Sequence, residues 1–377
     1  MKEPVAPLYP DDQIAEPQHN GRGALSNTTS RYDDEKRIRT NDGWDIEDEL
    51  PPLRTTLTKD ATRTIIARNN SPDIPFDRSI NPYRGCEHGC IYCFARPTHA
   101  YLGLSPGLDF ETKILFKPEA AALLTAELAS PKYRCDVVAM GTNTDPYQPV
   151  ERDLKITRQI LRVLSDFNNP VGIVTKNHVI TRDIDILGDM AKRNLAEVFL
   201  SVTTLDRDLA RTMEPRASAP HRRLAAIREL ADAGIPVGVM TAPMIPGLND
   251  HEMEAILDAA AAAGATRAGY TALRLPLEIK ELFEEWLRAN RPDRADRVLS
   301  LIRQIRGGEL YKAEFGTRMK GEGPIAQLLS QRFAASVKRL GLNRVRYRLD
   351  TQRFAVPAAA RTALVDARRD GRQMKLF

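Results

Sequence analysis

The stretch NPYRGCEHGCIYCFARP, residues 81–97, contains three of the four cysteines of the chain within eight residues. Their spacing is Cys86-x3-Cys90-x2-Cys93, and the fourth cysteine, Cys135, stands apart from them. Four cysteines in 377 residues are too few for a disulfide framework, so a reducing cytoplasm is the simpler interpretation. Three thiols this close together indicate a site for metal or redox chemistry.

Six short apolar, β-branched runs alternate with helical patterns along the middle of the chain. Six β-then-α units in succession predict a parallel sheet with helices outside, which right-handed crossovers curl into a partial (β/α)6 barrel. The C-terminal ends of the strands carry the chemistry in such a barrel, and the cysteines follow the first predicted strand there. The predicted strands are residues 79–83, 136–142, 171–176, 198–204, 236–245 and 267–273. The predicted helices are residues 118–130, 151–167, 181–194, 219–234, 250–264 and 277–290.

Three kinds of site are compatible with the cysteine spacing by itself. Structural zinc needs four ligands, and His88 or His99 would have to complete the set. A cubane iron–sulfur cluster usually takes four thiolates, so three would leave one iron open to a substrate or cofactor. The third interpretation is that Cys86, Cys90 and Cys93 are unrelated buried residues of the core. Three such cysteines would rarely fall this close together by chance.

The cysteine spacing, with an aromatic Tyr92 directly before the third cysteine, resembles the signature of the radical S-adenosylmethionine (radical SAM) superfamily. The context agrees, because the motif follows a first strand and opens six β/α units. The resemblance implies that Cys86, Cys90 and Cys93 hold a [4Fe–4S] cluster whose open iron binds S-adenosylmethionine. It also implies one-electron cleavage of S-adenosylmethionine to methionine and a 5′-deoxyadenosyl radical, which abstracts hydrogen from a substrate. Implied electron donors are a flavodoxin or a ferredoxin.

The same resemblance implies cofactor contacts at the ends of the later strands. Polar residues there would meet the amino, carboxylate and ribose groups of S-adenosylmethionine, and apolar residues would meet the adenine together with Tyr92. A polar residue at a strand end is also a common helix cap or turn residue, so each assignment has a structural alternative. The candidate contacts are Thr142, Asn143, Thr144, Asp145, Lys176, Ser201, Thr203, Arg216, Pro243 and Ile245.

The cysteine stretch and the segments TDPYQPVE and VTKNHVITRDIDIL resemble the DNA repair photolyase-like group, which includes spore photoproduct lyase. This implies damaged or modified nucleic acid as the substrate. The sequence departs from the group in one respect, because Met140–Asn143 lacks the cysteine that spore photoproduct lyase uses as a hydrogen donor. Cys135 precedes the second strand, at the opposite end of the barrel. Tyr147 and Tyr270 are candidate radical relays, although a buried tyrosine is usually packing.

Charge divides the chain into a body and a basic tail. Residues 331–377 contain 12 lysines and arginines against 3 acidic residues, whereas the whole chain has a net charge of +5. We therefore predict a polar, disordered extension over residues 1–55, a core over 56–305 and a basic extension over 306–377. No apolar run is long enough to span a membrane, and the first residues do not form a secretory signal. Candidate nucleic-acid contacts in the tail are Lys338, Arg339, Arg344, Arg346, Tyr347, Arg348 and Phe354.

Two alternatives to the repair enzyme remain open. A radical SAM enzyme of this kind would also suit a protein or small-molecule substrate, with a tail that only solvates the chain. A non-catalytic, metal-stabilised adaptor would instead bind DNA and a partner. The chain ends in QMKLF, which resembles the bacterial sliding-clamp-binding peptide, with Gln373, Met374, Leu376 and Phe377 as the contacts.

Deletion of residues 373–377 should lower affinity for the sliding clamp at least tenfold, because Leu376 and Phe377 would fill its apolar pocket. Surface plasmon resonance against purified clamp measures the loss, and S-adenosylmethionine cleavage by the truncated enzyme is the control. Unchanged clamp affinity would show that the match is accidental.

Overall fold

The structure, a computed structural model, describes residues 19–33, 53–345 and 348–361. The strands within these ranges are β1 (Thr56–Lys59), β2 (Ile66–Arg68), β3 (Arg78–Ile80), β4 (Tyr83–Arg84), β5 (Lys113–Phe116), β6 (Val138–Met140), β7 (Val171–Thr175), β8 (Ala196–Ser201), β9 (Val237–Met244) and β10 (Arg267–Ala272). The α-helices are α1 (Leu108–Thr112), α2 (Ala120–Leu128), α3 (Glu151–Leu154), α4 (Ile156–Asp166), α5 (Ile184–Lys192), α6 (Arg207–Met213), α7 (Pro220–Asp232), α8 (Met253–Ala262), α9 (Ile279–Asn290), α10 (Ala295–Gln304) and α11 (Gly323–Leu340). Short 3₁₀ helices cover Arg96–Leu102, His178–Asp183 and Asp250–Glu252.

A seven-stranded sheet forms the centre of the fold, in the order β10-β9-β8-β7-β6-β3-β2. Strands β3 and β6 to β10 are parallel neighbours, and β2 joins the edge antiparallel to β3. These six parallel strands are the six that the sequence predicts, and each of the first five is followed by a helix before the next strand. The predicted α/β class and partial (β/α)6 barrel are confirmed.

Burial explains why these segments form strands and amphipathic helices. Buried and half-buried residues alternate along β7, as expected for a strand with its inner face in the barrel and helices on its outer face. In α4 the residues Ile156, Ile160 and Leu164 recur every four positions and all lie in the core. The helices therefore cover the outside of the sheet, and the polar strand ends are left at one edge.

One predicted helix, residues 151–167, is interrupted. Lys155 adopts a left-handed conformation with φ of 53°, which separates α3 from α4. The cause is the buried Glu151, which accepts hydrogen bonds from the Thr157 amide at 3.1 Å and from the Tyr83 hydroxyl. A straight helix would not bring the Thr157 amide back to that carboxylate.

Residues 19–33, part of the predicted disordered extension, are joined to the barrel by hydrogen bonds, and the disorder of residues 1–55 stays a prediction. The Gly23 and Ala24 amides donate to the carboxylate of the buried Glu111 at 2.9 and 2.8 Å, and Arg22 donates to the Glu111 carbonyl. The segment lacks hydrophobic periodicity because it is held by partners about 90 positions away in the sequence rather than by its own pattern. Residues 1–18 and 34–52 lie outside the described residues.

The segment after residue 305 is joined closely to the barrel. Arg306 is buried and donates to the carbonyls of Ala272 and Leu273 at the end of β10. Asn343 pairs with the edge of β10, donating to and accepting from Ala268 at 2.9 Å each. The predicted boundaries of the extension and the core remain predictions. No helix in the described part of the chain is both long and apolar enough to cross a membrane.

The predicted stacking role of Phe354 is not supported. Its ring packs against Tyr133 and Phe167, with centroids 5.3 and 6.2 Å away, because a return of the chain covers apolar surface there. Arg339 pairs with Asp258 at 2.7 Å. The exposed residues Lys338, Arg344 and Arg348 keep their predicted role as a hypothesis, whereas Arg346, Tyr347 and the terminal QMKLF lie outside the described residues.

Phe354→Ala should lower the free energy of unfolding by about 2 kcal/mol, since a half-buried aromatic ring loses its contacts with two others. Phe315→Ala is the matched control, because Phe315 is 60% exposed and its loss should be nearly neutral. Urea unfolding followed by circular dichroism measures both, and equal stabilities would contradict the packing role of Phe354.

Candidate active site

The cysteine loop, residues 85–95, follows β4 and is built from tight backbone turns. The Gly89 amide donates to the Cys86 carbonyl at 3.3 Å, and the Cys93 amide donates to the Cys90 carbonyl at 3.1 Å. Gly89 has a φ of 66°, and a Cβ there would lie 2.7 Å from a Glu111 carboxylate oxygen. Only glycine combines that left-handed turn with so close an approach.

Two of the three thiols in this loop are buried, and the third, Cys93, is half-buried. All four cysteines of the chain are free thiols. Burial raises the pKa of Cys90 to about 12, although the Lys176 ammonium opposes the shift. The pKa of Cys86 is raised well above its usual range by burial, and then by Asp145 and the two neighbouring thiols. These thiols become thiolates when a metal supplies positive charge, which is the chemistry of an iron–sulfur ligand set.

The zinc alternative gains no support from the histidines. His88 Nδ1 lies 3.3 Å from Asp145 Oδ2, and its Nε2 lies 3.2 Å from the Asn177 side chain. His99 is fully buried against Phe110, with Nε2 3.0 Å from the Lys113 carbonyl, and burial lowers its pKa to about 4.

No three His, Cys, Asp or Glu side chains in the described ranges already surround one metal position. The three thiols of the cysteine loop, as they are placed, do not surround one metal position either. Their case as ligands rests on donor chemistry and on their shared loop.

A fully buried ion pair supports the loop from beneath. Arg96 donates to the Cys90 carbonyl at 2.9 Å and to the Gly89 carbonyl at 3.1 Å, and it pairs with Glu111. Neither Arg96 nor Glu111 is exposed to solvent. The backbone of the middle cysteine is therefore held by a charge whose partner lies in α1.

Asp145, a predicted cofactor contact, is engaged by the protein itself. Its carboxylate accepts from the Thr175 hydroxyl at 2.7 Å and from the Lys176 amide at 2.8 Å. Burial alone would raise the pKa of Asp145, but His88 and these hydrogen bonds outweigh burial and hold the pKa at about 2. Asp145 thus ties the end of β6 to the end of β7 and to the cysteine loop.

A second buried carboxylate, Glu214, organises the next strand ends. It accepts from the Tyr92 hydroxyl, from the Thr203 hydroxyl at 2.8 Å and from Arg223 at 2.5 Å. Burial opposes its ionisation, but Arg223 and Lys176 lower its pKa below the usual range. Tyr92, which lies between Cys90 and Cys93 in the sequence, is therefore fixed by its hydrogen bond to Glu214.

Lys176 is the cation that this arrangement leaves available. Its Nζ lies 5.7 Å from the centroid of the Tyr92 ring and makes no hydrogen bond to any described residue. Burial lowers the pKa of Lys176, but Cys90 and Glu214 outweigh it, so the net shift is upward and the ammonium is charged. A free ammonium beside the cysteine loop suits a carboxylate ligand.

The remaining predicted contacts are divided between engaged and available groups. Arg216 pairs with Glu87 of the cysteine loop at 3.1 Å, so it is not a free carboxylate binder. Ile245 receives support from Asn249, whose side chain also donates to the Thr203 and Pro243 carbonyls. The roles of all predicted site residues remain predictions. Four of these predicted site residues lie at or beside the ends of β6 and β8, namely Thr142, Asn143, Thr144 and Ser201.

The two candidate relay tyrosines differ sharply in their surroundings. Tyr147 is buried and donates to Asp183 at 3.1 Å, and burial raises its pKa well above the usual range. Tyr270 is 8% exposed, and its hydroxyl has no hydrogen-bond partner. Cys135 lies before β6 and contacts Asn169, at the end of the barrel away from the cysteine loop, as its sequence position predicts.

Sequence reasoning missed the residues that hold the site together. Arg96, Glu111, Glu214 and Arg223 have no recognisable spacing, and the two carboxylates also have partners remote in sequence. The signal available for Glu214 was its place two positions before Arg216, a predicted cofactor contact. The partners of Arg96 were not readable from any local pattern.

The partial barrel and its three-cysteine loop define a class of enzymes that bind an iron–sulfur cluster at the C-terminal ends of parallel strands. The family model of the radical SAM superfamily matches residues 80–260. The chain belongs to the radical SAM superfamily.

Two relatives are similar to the chain in sequence, and a solved structure is similar to it in fold. An uncharacterised protein of Mycobacterium tuberculosis is 38% identical over 237 residues, which cover 62% of this chain and 70% of that protein. An uncharacterised protein of Methanocaldococcus jannaschii is 28% identical over 173 residues, covering 46% and 62%. A variant of spore photoproduct lyase shares the fold with a TM-score of 0.55 and 17% identity, over 76% of this chain and 80% of that one.

The cofactors of the family are a [4Fe–4S] cluster and S-adenosylmethionine. The residues present fit both, because three thiols share one loop and a free ammonium lies beside them. Cys86, Cys90 and Cys93 would hold the cluster, and Lys176 is the available cation for a carboxylate.

Cys90→Ala should remove most of the iron from anaerobically reconstituted protein, since a site of two thiolates does not retain the cluster. Cys135→Ala should retain the iron of the unmodified protein. Iron and sulfide analysis measures both, and full iron content in Cys90→Ala would contradict the assignment of Cys90 as a cluster ligand.

The hydrogen bonds of Asp145 predict an acid-labile contribution to stability. Its folded pKa of about 2 lies below the usual aspartate value of 3.8, so the contribution is complete above pH 3.8 and lost as pH falls through 2. The expected loss is about 2 kcal/mol. Urea unfolding between pH 5 and pH 2 should show this extra acid dependence in the unmodified protein and not in Asp145→Asn.

Proposed function

We propose that this radical SAM enzyme acts on damaged or modified nucleic acid. When bound, the cluster and S-adenosylmethionine supply a 5′-deoxyadenosyl radical that abstracts hydrogen from the substrate. The observation that carries the proposal is a group of cations and aromatic rings beside the cysteine loop, which we call the cationic strip. It consists of Phe94, Tyr270, Arg274, Arg306 and Lys320.

Two cation–ring pairs belong to the cationic strip, and one of them adjoins the third cysteine. Phe94 follows Cys93 and is 47% exposed, and the Arg274 guanidinium lies 5.1 Å from the centroid of its ring. Lys320 Nζ lies 5.8 Å from the centroid of the Tyr270 ring. Phe94 is therefore an exposed ring with a cation over it, the arrangement that stacks bases and approaches phosphates, whereas the Tyr270 ring is 8% exposed.

No carboxylate of the described residues forms an ion pair with a cation of the strip, although Asp73 and Glu322 act on Arg274 and Arg306 through space. Among the described residues, neither Arg274 nor Lys320 forms an ion pair with a carboxylate, and Arg274 Nε is buried without a hydrogen bond. Arg306 bonds only to backbone carbonyls, its Nε is also unpartnered, and burial and Arg274 lower its pKa to about 10. Two guanidiniums that repel one another beside a reaction site favour an anionic ligand such as a phosphodiester.

The solved structures give this proposal its particular form. One spore photoproduct lyase variant is described with bound AdoMet and dinucleoside spore photoproduct, and it matches this fold with a TM-score of 0.54 and 16% identity. The missing cysteine at Met140–Asn143 argues against the same hydrogen-donor step. We therefore propose nucleic-acid repair or modification with a different return of hydrogen, for which Tyr270 is the candidate with a free hydroxyl.

The decisive measurement is 5′-deoxyadenosine formation by reconstituted, reduced enzyme with S-adenosylmethionine. Ultraviolet-irradiated DNA should raise product at least severalfold over intact DNA, because a bound substrate gives the radical a hydrogen to abstract. Formation of 5′-deoxyadenosine that does not change with either DNA would favour a protein or small-molecule substrate. A colourless, zinc-loaded protein without product would favour the adaptor.

Removing positive charge from the cationic strip should weaken use of nucleic acid. Arg274→Gln with Lys320→Gln should raise the KM for DNA about tenfold at low salt, since each lost cation removes a phosphate contact. Lys132→Gln with Lys192→Gln, which removes two exposed lysines elsewhere on the chain, is the control for net charge. An unchanged KM for DNA, with DNA-dependent turnover intact, would show that the cationic strip does not bind the substrate.

A further inference from the structure

Residues 19–33 pack directly on the cysteine loop, although the family model begins at residue 80. We infer that this segment, the N-terminal brace, is a positioning element that fixes the cysteine loop for cluster binding and shields the cluster from solvent. It goes beyond the proposed substrate, because it concerns the cofactor site whatever the enzyme acts on.

The closest contact of the brace is with the turn between the first two cysteines. A Cβ on Gly23 would lie 1.8 Å from the Gly89 carbonyl oxygen, so the two backbones are in direct contact. Ala24 is fully buried in the same apolar cluster as Cys90 and Tyr92. The brace therefore forms one wall of the loop rather than a distant surface segment.

Hydrogen bonds carry this contact to the backbone of Cys90. The Gly23 and Ala24 amides donate to both oxygens of Glu111, which also receives Arg96, and Arg96 donates to the Cys90 carbonyl. Without the two amides, a fully buried carboxylate would keep Arg96 but lose two donors. The brace thus acts on the Cys90 turn through Glu111 and Arg96, alongside the Pro106 and Gly107 carbonyls that also accept from Arg96.

Further contacts fix the brace at its outer end. Asn27 donates to Asp109 at 3.0 Å and accepts from the Asp109 amide at 3.0 Å. The Ser26 hydroxyl donates to Glu285 at 2.7 Å. Because Asp109 and Glu111 both lie in α1, the brace is attached twice to the helix that supports the loop.

Gly23→Ala tests the proposal with a single methyl group. Gly23 does not have a positive φ, so the added Cβ should disturb only the Gly89 contact. Gly188→Ala in α5 is the matched control, because its Cβ would meet only the Ala233 carbonyl, at 3.8 Å. Both proteins are reconstituted anaerobically and compared for iron content, for the electron paramagnetic resonance spectrum of the reduced cluster, and for the rate at which visible absorbance is lost in air.

We expect Gly23→Ala to hold less than half the iron of Gly188→Ala, to change the cluster spectrum and to lose its cluster severalfold faster in air. Melting temperatures of the cluster-free proteins should stay similar, which separates a local effect from unfolding. Equal iron, spectra and decay rates in the two variants would overturn the proposal.

Asn27→Ala provides a second test that adds no steric clash. Hydrogen–deuterium exchange on cluster-free protein should then show faster exchange in residues 19–33 and in residues 86–93 together. Faster exchange confined to residues 19–33 would mean that the brace does not control the loop, and would overturn the proposal independently of any activity.

Discussion

The ion pair between Arg96 and Glu111 is the interaction on which the cysteine loop depends. Both side chains are fully buried, so each charge has lost its hydration and must be satisfied by the protein. Arg96 meets this need by holding backbone carbonyls of the loop, and Glu111 by accepting amides of the N-terminal brace. The same pair thereby connects the cysteine loop and α1 to the brace, which is distant from both in sequence, and removing the brace would leave the buried Glu111 without two of its donors.

The strand ends repeat this arrangement with two more carboxylates. Asp145 accepts hydrogen bonds from the end of β7, and Glu214 neutralises Arg223 while fixing Tyr92. A carboxylate with several donors stays ionised despite burial, and this keeps its neighbours in one geometry. What is left over is Lys176, whose ammonium has no such carboxylate bonded to it. The carboxylates that support the site are therefore fixed by hydrogen bonds, whereas the Lys176 ammonium is available to bind a ligand.

Two regions of the chain carry cations that suit nucleic acid, and the structure distinguishes them. In the C-terminal part, Arg339 is paired and Phe354 is packed inward, so the electrostatic strength of that surface is smaller than its composition suggests. The cationic strip contains fewer charges, but Arg274 and Lys320 are unpaired and adjoin the cysteine loop. Adjacency to the cysteine loop, rather than the number of lysines and arginines, is the reason for proposing the strip as the substrate surface, because Lys338, Arg344 and Arg348 are exposed as well.

The sequence by itself determined the thiol loop, the six β/α units and the end of the barrel at which the loop lies. These features are local, since ligand spacing, strand alternation and helix periodicity are written in consecutive residues. Only the tertiary structure decided which polar residues are available, because Asp145 and Arg216 are bound by protein groups while Lys176 is free. It alone also revealed the brace, whose amides and their acceptor Glu111 are nearly 90 residues apart. Burial of a charge selects its partners through space, and no pattern along the chain encodes that selection.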